Sequence, residues 1–348
     1  MVTILTTVAV IGVLIFIHEM GHFMAARAIG VGVHEFSLGF GPVLAKWKKG
    51  MTQYSIRIIP LGGFVRLAGM HPHEEDDEEA EPVEEGQALI DRSVKERMFV
   101  FGAGSGMNFI LAAVIFTMIF AFMGQSEATL VVDSVAPDLP AEEAGVQPGD
   151  RIVALDGHAP ASWMDMVEIV QGSKGQMIEI EVQRNGEIRS FQLEPASHPE
   201  DPSLGAIGVH PVVEHHSLGL LQSAAEGFRM TGLVIVGLIQ GIIMLIRGGS
   251  DFQVISIVGI GQEIGTATRM GVFNLLFLTA GLSVSVGFTN LLPIPALDGS
   301  RLVFLGVEAV RGRPVDPDRE NFIHFVGFAF IMLLTVFIIY RDIARLGG

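Results

Sequence analysis

The pentapeptide His18-Glu19-Met20-Gly21-His22 sets two imidazoles four residues apart with a glutamate beside the first. On a helix this spacing puts both imidazoles on one face. The chemistry it offers is two metal ligands and a carboxylate able to activate water at the metal. A hydrolytic metal site needs a third protein ligand if one position stays open for water. The best candidate is Asp298 in Thr289–Ser300, TNLLPIPALDGS. It ends an uncharged run, and Pro293 and Pro295 interrupt the helix just before it. Taken alone, Asp298 reads equally as a carboxylate at the water interface, opening a loop with Arg301. The chain has no cysteine. Its metal ligands must therefore be imidazole and carboxylate, a set that suits zinc among others.

The elements that must hold these residues are apolar spans. Hydrophobic residues make up 49% of the chain and charged residues 17%, well below the roughly 25% charge of soluble domains. Val2–Ile17, Met98–Ser126, Met270–Leu297 and Asn321–Tyr340 are uncharged runs long enough, with the helix extensions their flanks allow, to cross a bilayer. Val2–Ile17 lacks a basic leader and a small-residue cleavage site, so it reads as a retained span. An ionisable cluster in such a span is costly and marks function. Met230–Ile246 is a shorter run containing Gly232, Gly237, Gln240 and Gly241. Both His18 and Asp298 fall at the C-terminal ends of their runs, so the two helices must run in the same direction to share a metal. With Met98–Ser126 alone spanning between them, they do. Met230–Ile246 is therefore expected to lie along or dip into the outer interface.

Outside the spans, Val33–Gly69 alternates apolar and polar residues between glycine turns and reads as a small β-sheet against the membrane. Its Lys and Arg residues favour the cytoplasmic side. His71–Gly86 carries nine carboxylates and no Lys or Arg, supplying −9 of the net −16, and reads as a solvated loop. Nothing suggests nucleic-acid binding. Glu127–Pro211 reads as a strand, a short helix, a Pro-Gly-Asp turn, a second helix at Ser162–Gly172 and a hairpin through Asn185-Gly186. This pattern fits one PDZ-like domain, and AGVQPGDRIVALDG resembles the PDZ signature. The fold expected is a polytopic α-helical membrane protein of four spans with a membrane-associated β-sheet and one PDZ-like α+β domain. Its segments are 1–29 (first span), 30–70 (β region), 71–97 (acidic loop), 98–126 (second span), 127–212 (PDZ-like), 213–269 (interfacial), 270–300 (third span), 301–320 (loop) and 321–348 (fourth span and tail).

HEMGH in a first span, EFSLGFGP, IPLGGFVRLAG, a PDZ-like domain and NLLPIPALDG in a later span together resemble the site-2 protease family. Within it they are most similar to the bacterial branch typified by the regulator of sigma-E protease. The resemblance covers nearly the whole chain in the family's order. It implies an intramembrane zinc metalloendopeptidase with one zinc per chain, held by His18, His22 and Asp298, and Glu19 as general base. Asn290 matches a family asparagine placed near the substrate. The substrates implied are single-span membrane proteins pre-trimmed by another protease, anti-sigma-factor-like or signal-peptide remnants. The implied setting is the bacterial inner membrane, with the active site near the cytoplasmic side and the PDZ-like domain outside. Ser105 and Ser300 stand where the family has proline and glycine, ISIVGIG lacks a proline common there, and only one PDZ-like domain is present.

A transmembrane substrate hides its scissile amides in helical hydrogen bonds, and an edge strand could take those bonds over. The candidate edges are Tyr54–Ile59, with Tyr54, Ile56 and Ile58, or Phe64–Leu67, with Phe64 and Val65. A sheet that merely shields the site from water fits the pattern equally. Two other function classes compete. A PDZ scaffold with a degenerate core would be expected to lose Glu19 or Asp298, and both are present. A metal transporter would be expected to carry polar residues at matching depths in several spans, and the spans are nearly bare.

Overall fold

The computed structural model describes residues 2–70, 86–198, 201–248 and 257–346. The acidic run expected as a solvated loop lies, from His71 to Glu85, outside them. By contacts the chain forms two units, residues 1–121 with 219–348, and residues 122–218.

In the first unit, Val2–Ala28 forms one helix, α1, about 40 Å long at 1.5 Å per residue. Two strands follow, β1 (Val33–Lys49) and β2 (Thr52–Leu67). Their register is double. Phe36 pairs with Val65 and with Tyr54, and Tyr54 pairs in turn with Trp47. The strands thus fold into four segments, in the order 63–67, 33–38, 53–59 and 43–49. Inside this sheet the buried Glu35 carboxylate accepts from Ser55 Oγ at 2.7 Å and from Arg57 Nη2 at 2.8 Å. Helix α2 (Val94–Met123) starts from a capping box. The Ser93 N–H donates to Glu96 Oε2 at 2.9 Å, satisfying an end amide of the helix.

The second unit carries β3 (Gln125–Val135), α3 (Pro140–Ala144), β4 (Arg151–Leu155), α4 (Trp163–Gly172), β5 (Ile178–Arg184), β6 (Glu187–Leu193), β7 (Ala196–Ser197), β8 (Gly205–Ala206) and β9 (Val209–His216). Five of these strands form one antiparallel sheet in the order β6-β5-β4-β3-β9. Alternate residues of β5, Ile178, Ile180 and Val182, are buried with Met166 and Val170 of α4. Ser162 caps α4 by accepting from the Asp165 N–H, and Asn185-Gly186 turns the β5–β6 hairpin with both residues at positive φ.

The chain re-enters the first unit with α5 (Leu220–Ile246), α6 (Ile257–Met270), α7 (Val272–Leu291), α8 (Asp298–Arg311) and α9 (Pro317–Leu346). Five described helices are long and apolar enough to cross a membrane: α1, α2, α5, α7 and, within α9, Asp318–Ile338. That is one more than the four expected. The extra one is α5, which begins ten residues before the Met230–Ile246 run and so gains the length that run lacks. Gly227 of α5 lies against Ala113 and Thr117 of α2, and Met230, Val234 and Leu238 pack on the cluster formed by α2 and α7.

Contacts fix the helix directions. Along α2, Val100, Ala103 and Asn108 meet His22, Gly21 and His18 of α1. Likewise Ser105, Asn108 and Phe116 meet Gly287, Ser283 and Phe277 of α7. Both helices are antiparallel to α2, so α1 and α7 run the same way, as the sequence demanded. Helix α6 runs against α1, with Gly261 beside Thr7 and Gly265 beside Thr3. It returns the chain to the end from which α7 starts, a return the sequence reading did not foresee.

Candidate metal centre

Three elements bring the site together. Helix α1 carries His18, Glu19 and His22. At Leu292–Leu297 the chain leaves helical geometry between α7 and α8, because Pro293 and Pro295 cannot donate N–H bonds to the preceding turn. Asp298 then opens α8, where a carboxylate suits the positive end of the helix dipole. An ion pair between Arg97 of α2 and Glu308 ties α8 to the bundle.

His18 Nε2 lies 3.0 Å from Asp298 Oδ2, His22 Nε2 lies 3.2 Å from the same oxygen, and the two Nε2 atoms are 3.2 Å apart. A tetrahedral zinc with bonds of 2.0–2.1 Å holds its ligand atoms about 3.3 Å from one another. The triangle therefore fits such an ion with all three lone-pair donors on one side of it. The two-nitrogen, one-carboxylate set is also one zinc accepts. Among the described residues these three are the group of His and acidic side chains close enough to hold a metal.

Partners around the imidazoles decide which nitrogen would face an ion. His22 Nδ1 is 2.8 Å from the Val100 carbonyl, so the proton sits on Nδ1 and Nε2 is left with its lone pair. His18 Nδ1 is 3.3 Å from Asn108 Nδ2, while Asn108 Oδ1 is buried with no hydrogen-bond partner among the described residues. Only the amide oxygen can accept from an Nδ1–H, so metal binding through Nε2 selects the orientation of Asn108 that presents Oδ1. Between these two residues, Gly104 lets α2 approach so closely that a Cβ there would fall on both imidazoles. Val100, Gly104 and Asn108 share one face at four-residue spacing. That spacing was the available signal, but the sequence reading gave none of the three a role at the site.

A cavity of about 300 Å³ opens on His18, His22 and Asp298 and is lined also by Glu19, Phe64, Val65, Asn290 and Ala296. A Cβ on Gly63 would lie 3.4 Å from Glu19 Cγ, which places the 63–67 segment directly over the glutamate. Among the described residues that segment pairs with β1 on one side only. The structure thus brings Asn290, Phe64 and Val65 to the site. It does not bring Tyr54, Ile56 or Ile58 there. Tyr54 stacks on Trp47 at 5.7 Å, and Tyr54 and Ile56 are paired on both sides in the interior of the sheet. Tyr54–Ile59 is not an edge because β1 folds back and covers it. Asn290 Nδ2 donates to the Val286 carbonyl at 3.0 Å, which leaves its amide oxygen for the cavity.

The family model described as Peptidase family M50 matches residues 6–334. A zinc metalloprotease RasP of Geobacillus kaustophilus is 30% identical, with 99% of this chain and 98% of that protein aligned. A second, from Oceanobacillus iheyensis, is 32% identical over 99% of this chain and all of that protein. The regulator of sigma-W protease RasP of Bacillus subtilis is 29% identical, with 99% of each chain aligned.

Proposed function

From a chain that belongs to peptidase family M50 and is a zinc metalloprotease, we propose an endopeptidase that cuts single-span membrane proteins inside their transmembrane segments. The observation that carries this reading is the ligand triangle of His18, His22 and Asp298, set in apolar helices with Glu19 in the same cavity.

His18, His22 and Asp298 would hold one zinc. When bound, zinc supplies Lewis-acid polarisation of the scissile carbonyl and makes water acidic enough to lose a proton near neutral pH. Glu19 takes that proton as the water attacks and gives it to the leaving amine. The outer edge of the 63–67 segment, which holds the Glu19 carboxylate through a Val65 backbone hydrogen bond, aligns the unwound substrate by strand addition beside Phe64, and the Asn290 amide contacts its backbone. Phe64, Val65 and Leu67 also keep bulk water from the site.

Residues 122–218 form an extracytoplasmic PDZ-like domain that restricts access to substrates already shortened by another protease. The relative from Bacillus subtilis is named for regulating sigma-W, which supports an anti-sigma-factor-like substrate here. Helix α5 lies at the outer interface. Its exposed Glu226–Arg229 pair, at 2.6 Å, supports that placement, because such a pair is costly among lipid chains.

Purified protein should carry about one zinc per chain and cut a single-span test substrate within its hydrophobic segment. Asp298→Ala should lose both, since two imidazoles alone bind zinc weakly. Full zinc occupancy in that variant would remove Asp298 from the ligand set.

A further inference from the structure

We propose that His324 of α9 is a positioning residue for Asp298, acting through the backbone of Ala296. The inference rests on the metal reading above.

The break between α7 and α8 has few ways to hold its shape. Pro293 and Pro295 have no N–H. The Ile294 N–H donates to the Leu292 carbonyl at 2.7 Å and the Leu297 N–H to the Ile294 carbonyl at 3.1 Å, both within the segment. The Ala296 N–H is instead satisfied from outside, by His324 Nδ1 at 3.0 Å. Ala296 has φ of 76°, in the left-handed region that a residue with a Cβ avoids. Two contacts hold it there: the Leu297-to-Ile294 bond that closes the turn across Pro295 and Ala296, and this bond to His324, the one that comes from outside the segment.

His324 is built to accept. Because Nδ1 faces the Ala296 N–H it must carry the lone pair. This puts the ring proton on Nε2, a buried atom with no hydrogen-bond partner among the described residues, whose nearest carboxylate, Glu320 Oε1 one turn earlier on α9, is 3.7 Å away. The ring is packed against Phe304 of α8, with centroids 5.8 Å apart. One turn further along α9, Gly327 gives Pro295 its place, since a Cβ on Gly327 would fall on the proline ring. Helix α9 thus grips two consecutive residues of the break. Ala296 lines the metal cavity, and Asp298 follows two residues later. If Ala296 relaxed to negative φ, the turn would redirect the start of α8 and the carboxylate with it. In the sequence, no neighbouring motif marks His324 for this role.

Two substitutions separate the bond from the packing. His324→Asn puts a carbonyl oxygen where Nδ1 was and loses the ring. His324→Phe keeps the ring and loses the acceptor. Hydrogen exchange of the Ala296 amide should speed up at least about tenfold in the Phe variant. The zinc dissociation constant, by chelator competition on the purified full chain, should rise by about the same factor. Both should stay within about threefold of the parent in the Asn variant. Ala296→Gly in the Phe background should bring zinc affinity back, because glycine adopts positive φ unaided. Phe and Asn variants that are equally impaired, or a Phe variant with unchanged exchange, would overturn the assignment. The exchange readout does not depend on zinc, so a parent protein that bound none would contradict the metal reading and leave this one decided.

Discussion

At the scale of single residues, the candidate metal ligands could be read because the chemistry they offer is written in spacing and residue type. His18 and His22 sit four apart beside Glu19, and Asp298 follows two prolines. The residues that aim these ligands were not legible. Val100 contributes a carbonyl, Gly104 contributes the lack of a side chain, and His324 acts on Asp298 through a backbone amide. None carries a type-specific signal until helices are packed. Gly104 gives this a direct check. Gly104→Ala would drive a methyl group into both imidazoles, an overpacking that costs about 1–3 kcal/mol. Zinc affinity should fall by at least about tenfold while the helix content is kept. Gly102, which has open space around it, should tolerate the same change. Equal effects at the two positions would mean that α2 does not press on the ligands.

Element by element, alternation and turns found the strands, but not which strand is an edge. That depends on β1 pairing with β2 twice, a long-range register that no local pattern encodes. The same holds for residues 122–218, where helix, hairpin and turn positions were readable and the strand order was not. An unforeseen feature there is the fully buried Asp150, which accepts from Arg184 Nε and Nη2 at 2.7 Å and from the Gln147 N–H at 2.9 Å. Burial alone would raise its pKa, and these bonds hold it below the usual carboxylate value. A group with a depressed folded pKa contributes stability that is present above the unfolded pKa, near 3.9. That contribution is lost as the pH falls through the folded value. Asp150→Ala should lower the stability of this unit by about 3 kcal/mol at pH 7, and by much less once the pH is low enough to protonate Asp150 in the folded chain. Thermal melts across that range, followed by circular dichroism, read the difference. A pH-independent effect would assign the loss to packing.

For the whole molecule, the parallel course of α1 and α7 followed from the demand that His18 and Asp298 share one ion, and the helix contacts agree. The inference that α5 must therefore stay on one face was narrower than the physics required. Because α6 runs antiparallel to α1, the chain after α5 is directed toward the end from which α7 starts, and the direction of α7 alone does not fix the course of α5. Our placement of α5 at the outer interface is checked by single cysteines at Arg229 and Arg247 in this cysteine-free chain. An impermeant reagent should label both from the same side, and labelling from opposite sides would make α5 a span. The central claim is that a glutamate which is not a ligand performs proton transfer at a zinc held by three other residues. Glu19→Gln, purified and tested for zinc content and for cleavage of a single-span substrate together, addresses it most directly. The account predicts about one zinc per chain with cleavage reduced by at least about a hundredfold. Cleavage at the parent rate by a zinc-loaded Glu19→Gln protein would contradict it.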